Sequence, residues 1–105
     1  MKEKNITTSL EVMQRNATKA EAMLKLLANA KRLIVLCHLV KGAKSVGQLA
    51  DLVGLSSSAL SQHLAKMRDQ GLVESEKQGK VVYYRIVNPE VEAILSTLYL
   101  IYCKE

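Results

Sequence analysis

Residues 55–73 read LSSSALSQHLAKMRDQGLV. Leu60, Leu64 and Met67 recur at i, i+4, i+7, which predicts a helix over about Ser57 to Gln70 with these three side chains inward. Gly71 follows, where a helix-ending glycine belongs. The opposite face offers Ser57, Ser58, Ser61, Gln62 and Lys66, with His63 at its margin. Serine is not favoured on an ordinary helix surface. Hydroxyls can bond phosphates and base edges, a glutamine can pair with adenine N6 and N7, and a lysine suits a phosphate. The helix N-terminus adds free amides of its own for a phosphate. This is a face suited to reading a DNA groove.

The flanking segments give that helix its setting. Just upstream, Val46 to about Val53 forms a short helix opened by Ser45 and Gln48 as a capping box. Gly54-Leu55-Ser56 joins the two helices, which together make a helix-turn-helix. Just downstream lie two β-like runs, about Leu72–Glu76 and Val81–Val87, with Gln78-Gly79 as the tip of a hairpin between them. Lys77, Gln78 and Lys80 sit on this wing, within reach of DNA backbone or a neighbouring minor groove.

Three more helices complete the pattern. The first runs from about Ser9 to Leu27, with Leu10, Met13, Ala17, Ala20, Leu24 and Leu27 at helical spacing. The second starts after Asn29 and runs to about Lys41, with Leu33, Leu36, Cys37 and Val40 on one stripe. The last, about Pro89 to Cys103, opens with Asn88 as cap and carries Val91, Ile94, Leu95, Leu98, Ile101 and Tyr102. The order is α-α-α-α-β-β-α. The expected fold is a mainly α winged helix-turn-helix with a β-hairpin wing, in one domain over residues 1–105.

Composition agrees. The chain has 105 residues, a formal charge of +5 and 49% hydrophobic residues, so it folds and favours a polyanionic partner. Its basic surface is diffuse, because between Ser56 and Val87 the cations Lys66, Arg68, Lys77, Lys80 and Arg85 face Asp69, Glu74 and Glu76. All four aromatic residues are tyrosine, too few for a stacking platform for single-stranded nucleic acid. No stretch approaches the roughly 18 apolar residues of a membrane span. The N-terminus MKEKNITTSLEV lacks a signal-peptide core, so a cytoplasmic setting with reduced thiols is expected.

The run S-x-x-L-S-Q-H-L in Ser57–Leu64, the segment NAKRLIVLCHLV and the hairpin VESEKQGKVVYYRI resemble the corresponding parts of ArsR/SmtB-type winged-helix repressors. The resemblance covers nearly the whole chain from about Met13. It implies a homodimer built from the first and last helices, a recognition helix in each of two major grooves, and release of double-stranded operator DNA when an inducer binds. By position it makes Ser57, Ser58, Ser61, Gln62, His63 and Lys66 the DNA contacts.

The inducer is read from what the chain lacks and what it keeps. The family's cysteine motif would fall within SVGQLADLVG, which has no cysteine; Asn88 to Cys103 has no Asp or His; His38 and His63 lie elsewhere. A zinc-type site needs three or four ligands at tight spacing, so no metal and no cofactor is expected. A metal- or haem-responsive repressor is the alternative. An enzyme is not expected: Cys37 and His38 are helix neighbours about 100° apart, with no orienting Asp and no oxyanion hole. Cys37 and Cys103 remain. By spacing alone Cys37 reads as core and Cys103 as tail. The pairs Leu36-Cys37 and Tyr102-Cys103, however, resemble the dithiol subgroup of that family, the HlyU, BigR and YgaV type. The resemblance implies a redox switch answering to persulfides or oxidants. A direct disulfide needs Cα atoms within about 4.4–6.8 Å, and extra sulfur atoms in the link would relax that demand.

Overall fold

The helices begin where a cap meets the apolar periodicity. In a computed structural model, which describes the backbone of residues 6–103 and the side-chain burial of residues 9–102, they are α1 (Ile6–Leu27), α2 (Ala30–Leu39), α3 (Val46–Val53), α4 (Ser57–Asp69) and α5 (Pro89–Leu98). The Asn29 side chain caps α2 by accepting from the Arg32 amide at 3.1 Å. The Arg32 guanidinium reaches back and donates to the Leu26 carbonyl at 2.6 Å, tying the end of α1 to the start of α2. Ser56 caps α4, accepting from the Ala59 amide at 3.2 Å. Asn88 caps α5, accepting from the amides of Glu90 and Val91.

The capping box at α3 forms as expected. Ser45 Oγ accepts from the Gln48 amide at 3.1 Å, and Gln48 Oε1 accepts from the Ser45 amide at 2.9 Å. Gly54 ends α3 in the left-handed region, φ 73°, which reverses the chain into α4 without the cost a Cβ would bring. Ser45→Ala removes the cap acceptor. It is expected to cost about 1 kcal/mol, read as a lower urea midpoint at unchanged denaturant slope.

Three strands, β1 (Lys44–Ser45), β2 (Val73–Gln78) and β3 (Val81–Ile86), form one antiparallel sheet in the order β1-β3-β2. Val73 lies opposite Ile86 and Gln78 opposite Val81. Lys44 pairs with Tyr84 and Ser45 with Tyr83.

Several expectations are corrected here. The order α-α-α-α-β-β-α lacked β1, so the hairpin is part of a three-stranded sheet. The hairpin tip is Gly79-Lys80, one residue on from Gln78-Gly79, because Gln78 still pairs with Val81. Gly79 has φ 65° and is followed by a residue of negative φ, the pattern of a type II′ turn. β2 is accordingly displaced, Val73–Gln78 rather than Leu72–Glu76. α1 starts at Ile6 rather than Ser9, and α2 stops at Leu39 rather than Lys41. The last helix does not run unbroken to Cys103: after Leu98 it widens into a π-helical turn, Tyr99–Cys103.

The core draws on every helix and on the sheet. Leu36 of α2, Leu49 of α3, Leu60, Leu64 and Met67 of α4, and Leu95 of α5 are all fully buried. Leu72 at the entry to the wing and Tyr84 of β3 join them. The terminal stripes do not. Among its described residues α1 buries only Leu27, while Leu10, Met13 and Leu24 stay exposed. Leu100, Ile101 and Tyr102 at the other end are exposed as well.

Candidate nucleic-acid interface and thiol cavity

Burial of Leu60, Leu64 and Met67 fixes the rotation of α4. Ser57, Ser58, Ser61, Gln62 and Lys66 consequently face outward, and His63 is half-buried at the margin. The hydroxyls of Ser56 and Ser58 lie 3.4 Å apart, so the first turn holds part of its polar face in place. On the wing, Lys77, Gln78 and Lys80 are exposed. Two contacts stiffen it: Arg85 pairs with Glu74 at 2.6 Å across the strands, and Arg68 of α4 donates to Ser75 of β2 at 3.5 Å.

Ser61 and Lys80 line one groove, together with Ser45, Val46 and Gly47 at the start of α3. The helix face and the wing tip therefore open on the same side of the molecule. Sequence reasoning missed the part played by Ser45–Gly47 in that groove. Its only sign in the sequence was the cap at Ser45, which marks a helix start but says nothing of what it stands beside.

The thiol region is a second site. Cys37, in the last turn of α2, is buried. It lines an apolar cavity of about 220 Å³ with Leu33, Ile34, Leu98 and Tyr102. Cys103 follows Tyr102 directly at the end of the π-helical turn, and its side chain lies outside the described residues. The fold thus brings Cys37 to the segment that carries Cys103, although 65 residues separate them in the chain. The Lys41 ammonium lies 5.2 Å from the centre of the Tyr99 ring, joining the chain just after α2 to the start of the π-helical turn. The neighbouring Tyr99 phenol raises the Lys41 pKa above its usual value. Among the described residues no three His, Cys, Asp or Glu side chains gather as a metal site, and no helix is long and apolar enough to cross a membrane.

His38, beside Cys37, has its pKa pushed below the usual 6.5, first by burial and then by Lys44 and Lys41. Below that value the unfolded chain takes up a proton that the folded chain resists, so stability falls as pH falls. His38→Gln should flatten this loss, measured as the drop in Tm between neutral and mildly acidic buffer.

Residues 29–75 match the family described as bacterial regulatory protein, arsR family. The chain is 42% identical over 101 residues to the transcriptional activator HlyU of Vibrio cholerae, covering 96% of this chain and 94% of that protein. It is 44% identical over 97 residues to the HTH-type transcriptional regulator YgaV of Escherichia coli K12, covering 91% and 98%. Among solved structures, the transcriptional regulator HlyU from Vibrio vulnificus superposes with a TM-score of 0.87 at 44% identity, over 90% of this chain and 99% of that one.

Proposed function

Since this chain belongs to the arsR family of bacterial regulatory proteins, which are DNA-binding transcriptional regulators and not enzymes, we propose that it is a homodimeric repressor whose grip on its operator is set by Cys37 and Cys103. The reading takes the chain as one cytoplasmic winged-helix domain. The shared cavity of Cys37 and Tyr102 carries it, because it places one thiol against the turn that ends in the other.

Each protomer offers α4 to a major groove, with Gln62 and the serines on base edges and Lys66 on phosphate. Lys77, Gln78 and Lys80 extend the contact from the wing. The exposed stripes of α1 and of Leu100–Tyr102 are the surfaces a second copy covers. That pairing sets the two reading helices about one turn of DNA apart.

The chemistry needs only the inducer. Cys37 thiolate attacks the outer sulfur of an organic persulfide, leaving Cys37 as the persulfide and releasing the inducer's thiol. Attack by Cys103 on the inner sulfur then yields a disulfide and hydrogen sulfide. If both cysteines are first persulfidated, one displaces hydrogen sulfide from the other and leaves a trisulfide, which spans a longer gap. Either link pulls α2 against the last helix. Operator affinity falls only to the extent that the linked geometry fits the two half-sites worse than the reduced one.

Peptide mapping of the persulfide-treated protein tests this directly. The expected product joins the Cys37 and Cys103 peptides through two or more sulfur atoms. Persulfidation of Cys37 alone, with no joined peptide at any dose, would contradict the switch while leaving DNA binding untouched.

A further inference from the structure

Five cations lie between Ser56 and Val87: Lys66, Arg68, Lys77, Lys80 and Arg85. By charge alone each is an equal candidate for a DNA phosphate. The fold divides them. Leu60, Leu64 and Met67 turn inward, and Arg68, four residues after Leu64, leaves α4 on that same side. Lys66 points about 200° away from Arg68, on the reading face. The Arg68 guanidinium meets the wing and donates to Ser75 Oγ at 3.5 Å. Arg85 lies opposite Glu74 across β2 and β3, and their side chains pair at 2.6 Å. Neighbouring strand residues point to opposite faces, so Glu74 and Ser75 anchor the two faces of β2. Both stand at its root, beside buried Val73. Gln78, next to the tip, is about 13 Å along the strand from Glu74, more than the Debye length of about 8 Å at physiological salt. Lys77 and Lys80 flank that tip and are exposed, and among the described residues neither has an ion-pair partner.

We propose that Arg68 and Arg85 are positioning residues that brace the root of the wing, and that the wing's phosphate contacts come from Lys77 and Lys80 alone. Arg68 ties one face of β2 to the reading helix. Arg85 ties the other face to its neighbouring strand. The hairpin is thereby aimed from its root, and the lysines at its tip meet DNA at a fixed offset from α4. An exposed pair adds little to global stability, so the brace shows in DNA binding and not in Tm. The inference rests on the wing contact proposed above and needs neither cysteine.

The test is a salt series of operator affinities for the reduced full-length protein, on the DNA upstream of its own gene. Lys77→Ala/Lys80→Ala lowers the slope of log affinity against log salt by about two per protomer, one for each lysine. Arg68→Met and Arg85→Met each weaken binding by about twofold to thirtyfold, one exposed pair lost in each protomer, and leave the slope unchanged. Ser75→Ala repeats the loss of Arg68→Met, and the two together lose no more than either alone. Glu74→Ala gives the decisive sign. It removes a negative charge, which by charge alone would tighten binding, yet it weakens binding as Arg85→Met does. In the Lys77→Ala/Lys80→Ala background neither arginine substitution has a further effect, whereas general damage to the fold would persist there. A slope lowered by Arg68→Met or Arg85→Met, or tighter binding by Glu74→Ala, would overturn the proposal and leave the wing contact standing. An unchanged slope for Lys77→Ala/Lys80→Ala would overturn both.

Discussion

Gln62→Ala is expected to weaken operator binding by about 1–3 kcal/mol at each half-site, the worth of one good side-chain-to-base pairing. In a dimer the loss occurs twice, about 2–6 kcal/mol in all, so affinity falls by roughly thirtyfold to twenty-thousandfold. Gln62 is exposed on the face opposite Leu60 and Leu64, so the substitution leaves the core intact and Tm nearly unchanged. Binding to unrelated DNA persists, because phosphate contacts supply it. Lys66→Ala differs in kind: it weakens operator and unrelated DNA alike and lowers the salt slope by about one per protomer. Fluorescence anisotropy over a salt series separates the two. An equal loss on both DNAs for Gln62→Ala would assign that residue to backbone contact.

Leu64→Ala is expected to destabilise the fold by about 2–5 kcal/mol, transfer and cavity terms together. Leu64 is fully buried and lies in the middle of α4, in the core that α2, α3 and α5 also line. Domains of this kind are stable by about 5–15 kcal/mol in all, so the variant loses a large share and should bind operator only at reduced temperature. Ser57→Ala, on the exposed face of the same helix, should change stability by less than about 0.5 kcal/mol. Urea unfolding of the two variants measures the contrast. Similar midpoints would mean that α4 is rotated from the orientation described.

Much of this was legible in the chain. The i, i+4, i+7 stripe of Leu60, Leu64 and Met67 fixed the rotation of α4, because burial of three leucine-sized side chains outweighs any preference of the polar face. The caps at Ser45 and Asn88 marked their helices correctly, since a cap is a local bond between near neighbours. What escaped notice depends on distant partners. Lys44–Ser45 is too short to show a period and becomes a strand only by pairing with Tyr83 and Tyr84. The widened turn after Leu98 keeps its apolar residues in sequence, so nothing in their spacing announces it.

The site divides in the same way. Polar residues of the reading face follow from the rotation of one helix. The groove joining Ser61, Lys80 and the start of α3 needs the wing to fold back beside α4. The cysteines stood out by resemblance, but the cavity beside Cys37 is made by Leu33, Ile34 and Leu98, side chains whose spacing says only that they are apolar.

Operator binding by the reduced and the persulfide-treated protein, each beside Cys37→Ser, tests the central claim most directly. Fluorescence anisotropy on the DNA upstream of the protein's own gene is the readout, with a peroxide-treated sample alongside. Persulfide treatment should abolish binding by the wild-type protein and leave Cys37→Ser bound, and peroxide acting through the same cysteines would make the switch a general redox sensor. Unchanged affinity in a wild-type dimer shown by mass to be fully linked between Cys37 and Cys103 would contradict the account.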